Sequence, residues 1–115
     1  MALTVLNGPT IAAGQSLSNG LDCTAGAIVR ITMPAAWTSA NISFAISSDG
    51  AFYNDLVGID GKEVILPVVP GTAVVLASFT EYLRAIAFLK LRSGSRFYPV
   101  VQPAQRDFAI AIETP

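Results

Sequence analysis

The stretch that decides the fold runs from Trp37 to Asp55 and reads W-T-S-A-N-I-S-F-A-I-S-S-D-G-A-F-Y-N-D. Its first half alternates polar and apolar residues, as a half-buried β-strand does. Asp49 and Gly50 follow, and an Asp-Gly pair is a strong hairpin signal. An aromatic-rich segment then returns. This stretch predicts a β-hairpin within a β-sandwich.

The rest of the chain has the same pattern of short strands and turns. Short β-branched or aromatic runs are separated by Gly, Pro, Asn and Asp about every ten residues. No long window has the spacing of an amphipathic helix. We therefore predict a single all-β domain over residues 1–115, an antiparallel, jelly-roll-like β-sandwich of about eight or nine strands. The predicted strands are Thr10–Ala13, Gln15–Ser18, Ala27–Met33, Asn41–Ser47, Ala51–Val57, Glu63–Val68, Thr72–Ser78, Arg84–Arg92 and Phe108–Glu113. Turns are expected at Ser48–Gly50, Ile59–Lys62 and Pro70–Gly71, and one helical turn at Glu81–Leu83.

Side-chain patterns also predict which faces are buried. In Ala27–Met33, strict alternation places Ile28 on one face with the other even-numbered residues, and the odd-numbered residues on the opposite face. Ala85–Leu89 is apolar on both faces, which favours a central strand without a wet side. Phe108–Ile112 has larger residues on one face and alanines on the other.

The composition is unusual in its low charge. Charged residues make up 13% of the 115 residues, hydrophobic residues 52%, and mean hydropathy is +0.55; a typical soluble domain has about 25% charged residues. The apolar runs are far shorter than the roughly 20 residues of a membrane-spanning helix. We expect no membrane partner, and we expect other subunits to cover part of the surface. Closed symmetry then predicts a homo-oligomer, and analogy with jelly-roll particle proteins favours a trimer.

The residues that most catalytic sites need are missing. The chain has no histidine and one cysteine, so a Ser-His-Asp triad, a Cys-His pair and an intrachain disulfide are all excluded. No phosphate-binding glycine motif is present. Cys23 is best interpreted as a small buried hydrophobe. We predict a protein that is not an enzyme and has no cofactor.

Charged and polar clusters give little more. A net charge of -1 argues against a nucleic-acid partner. The basic residues of one segment, Arg84, Lys90, Arg92 and Arg96, are interpreted as an ordinary solvated strand face.

One group of oxygen-bearing residues deserves comparison with calcium loops. Asp49, Asn54, Asp55 and Asp60 lie close together in sequence, but their spacing does not match a calcium-binding loop. Asp is also favoured in turns, where its side chain bonds the backbone. We therefore predict turns and no metal site.

Aromatic residues supply the interaction candidates. Trp37 lies in a loop after Pro34, and Phe52 and Tyr53 follow the Asp-Gly turn. Trp37 and Tyr53 could stack on sugar rings, or they could close the core or anchor a subunit contact. Because neighbours on a strand face opposite ways, Phe52 and Tyr53 cannot share a side, and Tyr53 is expected to face outward.

Three segments carry a family resemblance: M-P-A-A-W-T-S-A-N-I-S-F at Met33–Phe44, S-S-D-G-A-F-Y-N-D-L at Ser47–Leu56 and L-K-L-R-S-G at Leu89–Gly94. They resemble small β-sandwich proteins encoded among the structural genes of tailed bacteriophages, over about Leu17 to Ile112. The strand–S-x-D-G–aromatic pattern also resembles carbohydrate-binding sandwiches.

The resemblance implies a role in the virion and no catalytic residues. The expected function is that of a capsid decoration or stabilising protein, or a head-tail accessory subunit, made in the host cytoplasm and bound to major capsid or tail proteins. The alternative is a carbohydrate-binding module for host-surface attachment, using Trp37 and Tyr53.

Overall fold

The computed structural model describes residues 2–76, 83 and 86–115. In this part of the chain, nine strands form two antiparallel sheets. The strands are β1 (Ala2–Ile11), β2 (Leu21–Asp22), β3 (Ala27–Thr32), β4 (Ile42–Ser47), β5 (Asn54–Asp55), β6 (Ile65–Leu66), β7 (Ala73–Val75), β8 (Phe88–Ser93) and β9 (Arg106–Thr114). No helix among these residues is long and apolar enough to cross a membrane.

The strand order is that of a jelly roll. The first sheet has the order β1-β9-β3-β7, and the second has the order β2-β8-β4-β5, with β6 also paired to β4. Consecutive strands such as β1 and β2, β3 and β4, and β8 and β9 therefore lie in opposite sheets. The chain wraps repeatedly around one core, and the predicted antiparallel β-sandwich is confirmed.

The inner faces of the two sheets form the core. On β9, the larger side chains Phe108, Ile110 and Ile112 are buried as predicted. Burying one such side chain contributes about 1.5–3 kcal/mol. Fully buried partners come from both sheets: Ile11, Ile28, Ile31, Ile42, Phe44, Leu76, Leu89 and Leu91.

The predicted hairpin forms, but its second strand is short. Ile46 on β4 lies opposite Asn54 on β5. The return strand was expected over Ala51–Val57 and is limited to Asn54–Asp55. Asp49 is the reason, because its Oδ1 accepts the backbone N–H groups of the two residues after Gly50 at 2.8 and 3.0 Å. Those residues curl around the carboxylate instead of pairing with β4.

A β-bulge corrects the predicted faces of β3. Ile28 lies opposite Ile112 and Arg30 lies opposite Ala111, so Val29 is an extra residue relative to β9. The inserted residue shifts the alternation by one position. Ile28 and Ile31 are both buried in the core, and the strict even-odd assignment is wrong.

The strand Ala2–Ile11 was not predicted. Sequence analysis started the first strand at Thr10, after Pro9, whereas β1 contains that proline. Pro9 is tolerated because β1 lies at an edge of its sheet, where an N–H group can be lost without breaking the sheet. The second predicted piece, Gln15–Ser18, is reduced to isolated bridges at Gln15 and Leu17.

The segment predicted as Arg84–Arg92 is partly confirmed. The described strand is Phe88–Ser93, and it lies centrally between β2 and β4, as expected. The prediction that it lacks a wet side is wrong, because Phe88, Lys90 and Arg92 are only half-buried on its outer face. Arg84 and Ala85 lie outside the described residues.

The other predicted elements are mostly shorter in the structure. Glu63–Val68 is limited to Ile65–Leu66, and the described part of Thr72–Ser78 forms Ala73–Val75. The turn at Ile59–Lys62 is confirmed, since Gly61 N donates to Gly58 O at 3.0 Å. The helical turn expected at Glu81–Leu83 lies outside the described residues except for Leu83, which is buried.

Candidate interaction surface

Trp37 belongs to the core. Its residue is 7% exposed, its Nε1 donates to Ala40 O at 3.1 Å, and its ring meets that of Phe108 edge-on, with 5.5 Å between centroids. A polar tip bonded to the backbone and a buried ring are typical of an aromatic that closes the end of a core. The ring face is therefore not available for stacking on a sugar.

Tyr53 lies against the outer face of the second sheet. Lys90 Nζ is 4.5 Å from the centroid of its ring. The hydroxyl of Tyr53 sits where a Cβ on residue 20 would be, so a larger residue in place of Gly20 would displace the tyrosine. Desolvation raises the pKa of Tyr53, with smaller contributions from Asp49 and Cys23.

Phe52 is the outward-facing member of the aromatic pair. Its residue is 80% exposed, whereas Tyr53 is half-buried. The expected assignment of the two neighbours is therefore reversed. Tyr53 and Trp37 are not brought together either, because Tyr53 is next to Asn54, opposite the end of β4, and Trp37 packs near its start.

An ionic network covers the rest of the outer face of the second sheet. Arg92 Nη2 donates to Asp55 Oδ1 at 2.6 Å, and Arg92 Nη1 lies 3.5 Å from Glu63 Oε2. Arg92 Nη1 also donates to Ser43 Oγ at 3.2 Å. Glu63 Oε2 accepts the backbone N–H of Arg96 at 2.9 Å. Arg92, one of the four basic residues of the predicted solvated face, is thus paired with carboxylates of the same chain.

A polar lock holds the loops at the Trp37 end of the sandwich. The side chain of Gln102, which is fully buried, accepts hydrogen bonds at Oε1 from Thr38 N at 3.0 Å and from Arg106 Nε at 2.9 Å. Its Nε2 donates to Thr38 O at 3.0 Å and to Ser93 Oγ at 2.9 Å. Every hydrogen-bonding position of this amide is used, so the lock serves to fix loops rather than to bind a ligand.

A tight loop beside this lock presents two aromatic side chains that sequence analysis missed. Phe97 and Tyr98 are 74% and 81% exposed. Gly94, at φ +87°, closes the loop, and a Cβ there would lie 2.5 Å from Tyr98 O. The signal in the sequence was an aromatic pair between a glycine and Pro99, where no strand pattern could bury it.

The free edge of the first sheet also exposes apolar side chains. Leu3 and Val5 on β1 are 59% and 50% exposed. Val5 begins a row across the outer face that continues through Ala111 and Arg30 to Val75 on β7. Small and aliphatic side chains dominate this row.

The groups that could carry chemistry are occupied or buried. Cys23 is buried, and desolvation, with a smaller contribution from Asp22, raises the pKa of its thiol to about 11. Asp60 Oδ1 accepts Lys62 N at 3.0 Å, as expected of a turn aspartate. Within residues 2–76, 83 and 86–115, no three His, Cys, Asp or Glu side chains are grouped so that they could hold a metal ion.

Comparison of the chain with protein-family models, curated proteins and solved structures found no match.

Proposed function

We propose that this protein is a non-enzymatic structural subunit of a tailed-phage virion, a capsid decoration or stabilising protein or a head-tail accessory subunit. It associates with copies of itself and binds the main shell or tail. The observation that carries the proposal is the exposure of large apolar side chains on two separate surfaces of a chain with few charges. The sequence resemblance supplies the phage context.

The two surfaces have the chemistry expected of protein contacts. The edge of the first sheet exposes Leu3 and Val5, and the loop after β8 exposes Phe97 and Tyr98. Single exposed apolar residues are normal, whereas grouped ones mark interaction sites. Aromatic side chains in particular are enriched at the centres of protein interfaces.

A carbohydrate-binding module remains the second candidate, with different residues from those first expected. The jelly-roll sandwich serves both viral capsid proteins and lectins, so the fold does not separate the two functions. Because Trp37 is buried, a sugar would have to stack on Phe97 or Tyr98, whose rings are exposed. The guanidinium carbon of Arg96 already lies 4.6 Å from the centroid of the Phe97 ring, which leaves Tyr98 as the more open platform.

The test is quantitative mass spectrometry of particles purified from the strain that encodes the chain. We expect the protein in the particles at a copy number comparable with that of a main shell or tail protein. Its absence from intact particles would refute the proposal. In parallel, the pure protein and its Tyr98→Ala variant are applied to a glycan array. Binding that is lost in the variant would support the carbohydrate alternative.

A further inference from the structure

The free edge of β1 differs from the other sheet edges of the described chain. β1 has ten residues, whereas the remaining edges are formed by β7, β2, β5 and β6, which have three residues or two. Very short edge strands protect a sheet against pairing with another chain. A long edge strand presents a row of backbone donors and acceptors, which only another strand can satisfy fully.

The direction of the backbone groups follows from the hydrogen bonds across the first sheet. Met33 N donates to Thr72 O at 2.8 Å, on the β7 side. Successive residues of an antiparallel strand direct their N–H and C=O groups to opposite sides, so Thr32 directs its groups to β9. Its partner there is Ala109, which therefore directs its own groups back to β3.

The same alternation identifies the open residues of β1. Ile110, next to Ala109, directs its groups to β1 and lies opposite Leu6. The residues on either side of Leu6, Val5 and Asn7, therefore direct their N–H and C=O groups away from β9. Leu3, two residues before Val5, also directs its N–H and C=O groups away from β9. We call these three residues, Leu3, Val5 and Asn7, the open residues of β1, and they form a continuous row.

The features that normally block strand addition lie beyond this row: a β-bulge between Asn7 and Thr10 contains Pro9, and Asn19 bonds the backbone of Thr10. Between Ala2 and Ile11 there is no Lys, Arg, Asp or Glu, although edge charges are a common protection. Pro9 is the only residue without an N–H, and it lies beyond the open positions. Two of the open residues, Leu3 and Val5, instead present exposed apolar side chains to a partner.

We propose that a second copy of this chain pairs with β1 in antiparallel orientation across a twofold axis, so that the first sheets of the two copies become one continuous sheet. Identical strands can pair about such an axis only in antiparallel orientation, and the absence of charge means that like charges do not meet. Centring the axis on Val5 places each open residue opposite an open residue of the second copy, with Leu3 opposite Asn7. The proposal rests on the self-association in the proposed function and specifies its surface.

Amide hydrogen exchange followed by NMR tests this without any mutation. The N–H groups of Thr4 and Leu6 bond β9 within the chain and should be protected at every concentration. Those of Leu3, Val5 and Asn7 should exchange fast in dilute protein and slow down at least about tenfold as protein concentration rises and dimers form. Fast exchange of these three amides in a sample that sedimentation shows to be oligomeric would overturn the assignment of the surface.

Variants at Val5 give an independent measurement. Val5→Lys places like charges opposite each other at the axis, and we expect the dimer dissociation constant to rise at least about tenfold. Val5→Pro removes an N–H that β9 does not use, and we expect the same loss. Val75→Lys is the matched control, because Val75 is 70% exposed on the opposite edge strand, and it should leave the constant unchanged.

The outcomes separate this inference from the proposed function. If Val5→Pro does not fold by circular dichroism, Val5→Lys and the exchange data still decide. An oligomer that is equally insensitive to Val5→Lys and Val75→Lys, or a wild-type trimer, would overturn the twofold edge pairing. Presence or absence in purified particles is a separate readout, so a failed dimer and a failed virion assignment give different results.

Discussion

The outer faces of the two sheets differ in how their arginine side chains are paired. On the second sheet, Arg92 bonds Asp55 and Glu63 of the same chain. On the first sheet, Arg30 lies between Ala111 and Val75 in its row. Its Nε is buried and has no hydrogen-bond partner among the described residues. Arg92 is thus neutralised within the chain, whereas Arg30 lies in a row with small and aliphatic side chains.

The difference extends to the strand edges. The second sheet ends in strands of two residues, and the turns around Asp49 and Asp60 use their carboxylates to bond the backbone nearby. The first sheet ends on one side in the long, uncharged β1. Charged groups that are already paired within the chain are not available to a partner. The unpaired backbone N–H and C=O groups of an edge strand, in contrast, can bond a strand of another chain. The comparison predicts that strand pairing between copies depends on the first sheet and that the ionic outer face around Arg92 mainly provides stability.

The largest expected effect separates the inner and outer faces of the second sheet. Leu89 is fully buried and its neighbour Phe88 is half-buried on the outer face, against Gly50. Leu89→Asp buries a carboxylate without a partner, which costs several kcal/mol, about the whole stability of a small domain. Phe88→Asp keeps its charge in water and should cost about 1–3 kcal/mol. Circular dichroism and urea unfolding distinguish the two, and equal loss of structure would show that the faces of β8 are misassigned.

The next effect concerns the ionic network. Arg92→Met removes the cation that neutralises Glu63, whose side chain is only 10% exposed. We expect the free energy of unfolding to fall by about 2–3 kcal/mol. The loss is smaller than for a fully buried pair because Asp55, the other partner of Arg92, is partly exposed. Lys90→Met, two residues away on the same face, removes only a contact with Tyr53 and should cost under about 1 kcal/mol. Urea unfolding measures both. Equal effects would mean that the network contributes nothing beyond an ordinary surface ion pair.

Much of this architecture was predictable because its signals are local. The hairpin around Asp49 and Gly50 and the buried face of Phe108–Ile112 depend on turn chemistry and side-chain alternation, which a short segment carries by itself. The faces of Ala27–Met33 were wrong because the bulge at Val29 depends on the register with β9. Nothing within that segment reveals the extra residue.

The interaction surface was harder to predict for a related reason. Whether Trp37 or Phe97 is exposed depends on which loops meet at the end of the sandwich, and both lie in loops with similar local sequences rich in small residues and proline. Most of β1 was not predicted, although an edge strand can contain a proline such as Pro9. Exposure is a property of the assembled sheets, and single-sequence patterns report it only where one face is plainly apolar.

A smaller effect is expected at Tyr53. Tyr53→Ala removes the ring that packs against Gly20 and Lys90, and we expect a loss of about 1–2 kcal/mol without unfolding. The sequence alone made Tyr53 a candidate anchor of a subunit contact, whereas the comparison of the two faces predicts that association is unchanged in this variant. Sedimentation of the variant at several concentrations, beside urea unfolding, tests both parts. Weaker association with unchanged stability would place the partner on the second sheet and break the comparison.

The smallest effect, none within error, is expected from removing divalent cations. Asp49 Oδ1 already accepts the hydroxyl of Ser47 and the N–H groups of Ala51 and Phe52, and Asp55 is paired with Arg92. A cation would have to displace these groups. The melting temperature in EDTA should therefore agree with that in buffer to within about 2 °C, less than the shift that 1 kcal/mol produces in a domain of this size. A larger drop that calcium restores would show that the Asp49–Asp60 turns form a metal site and that the second sheet is not closed by the chain alone.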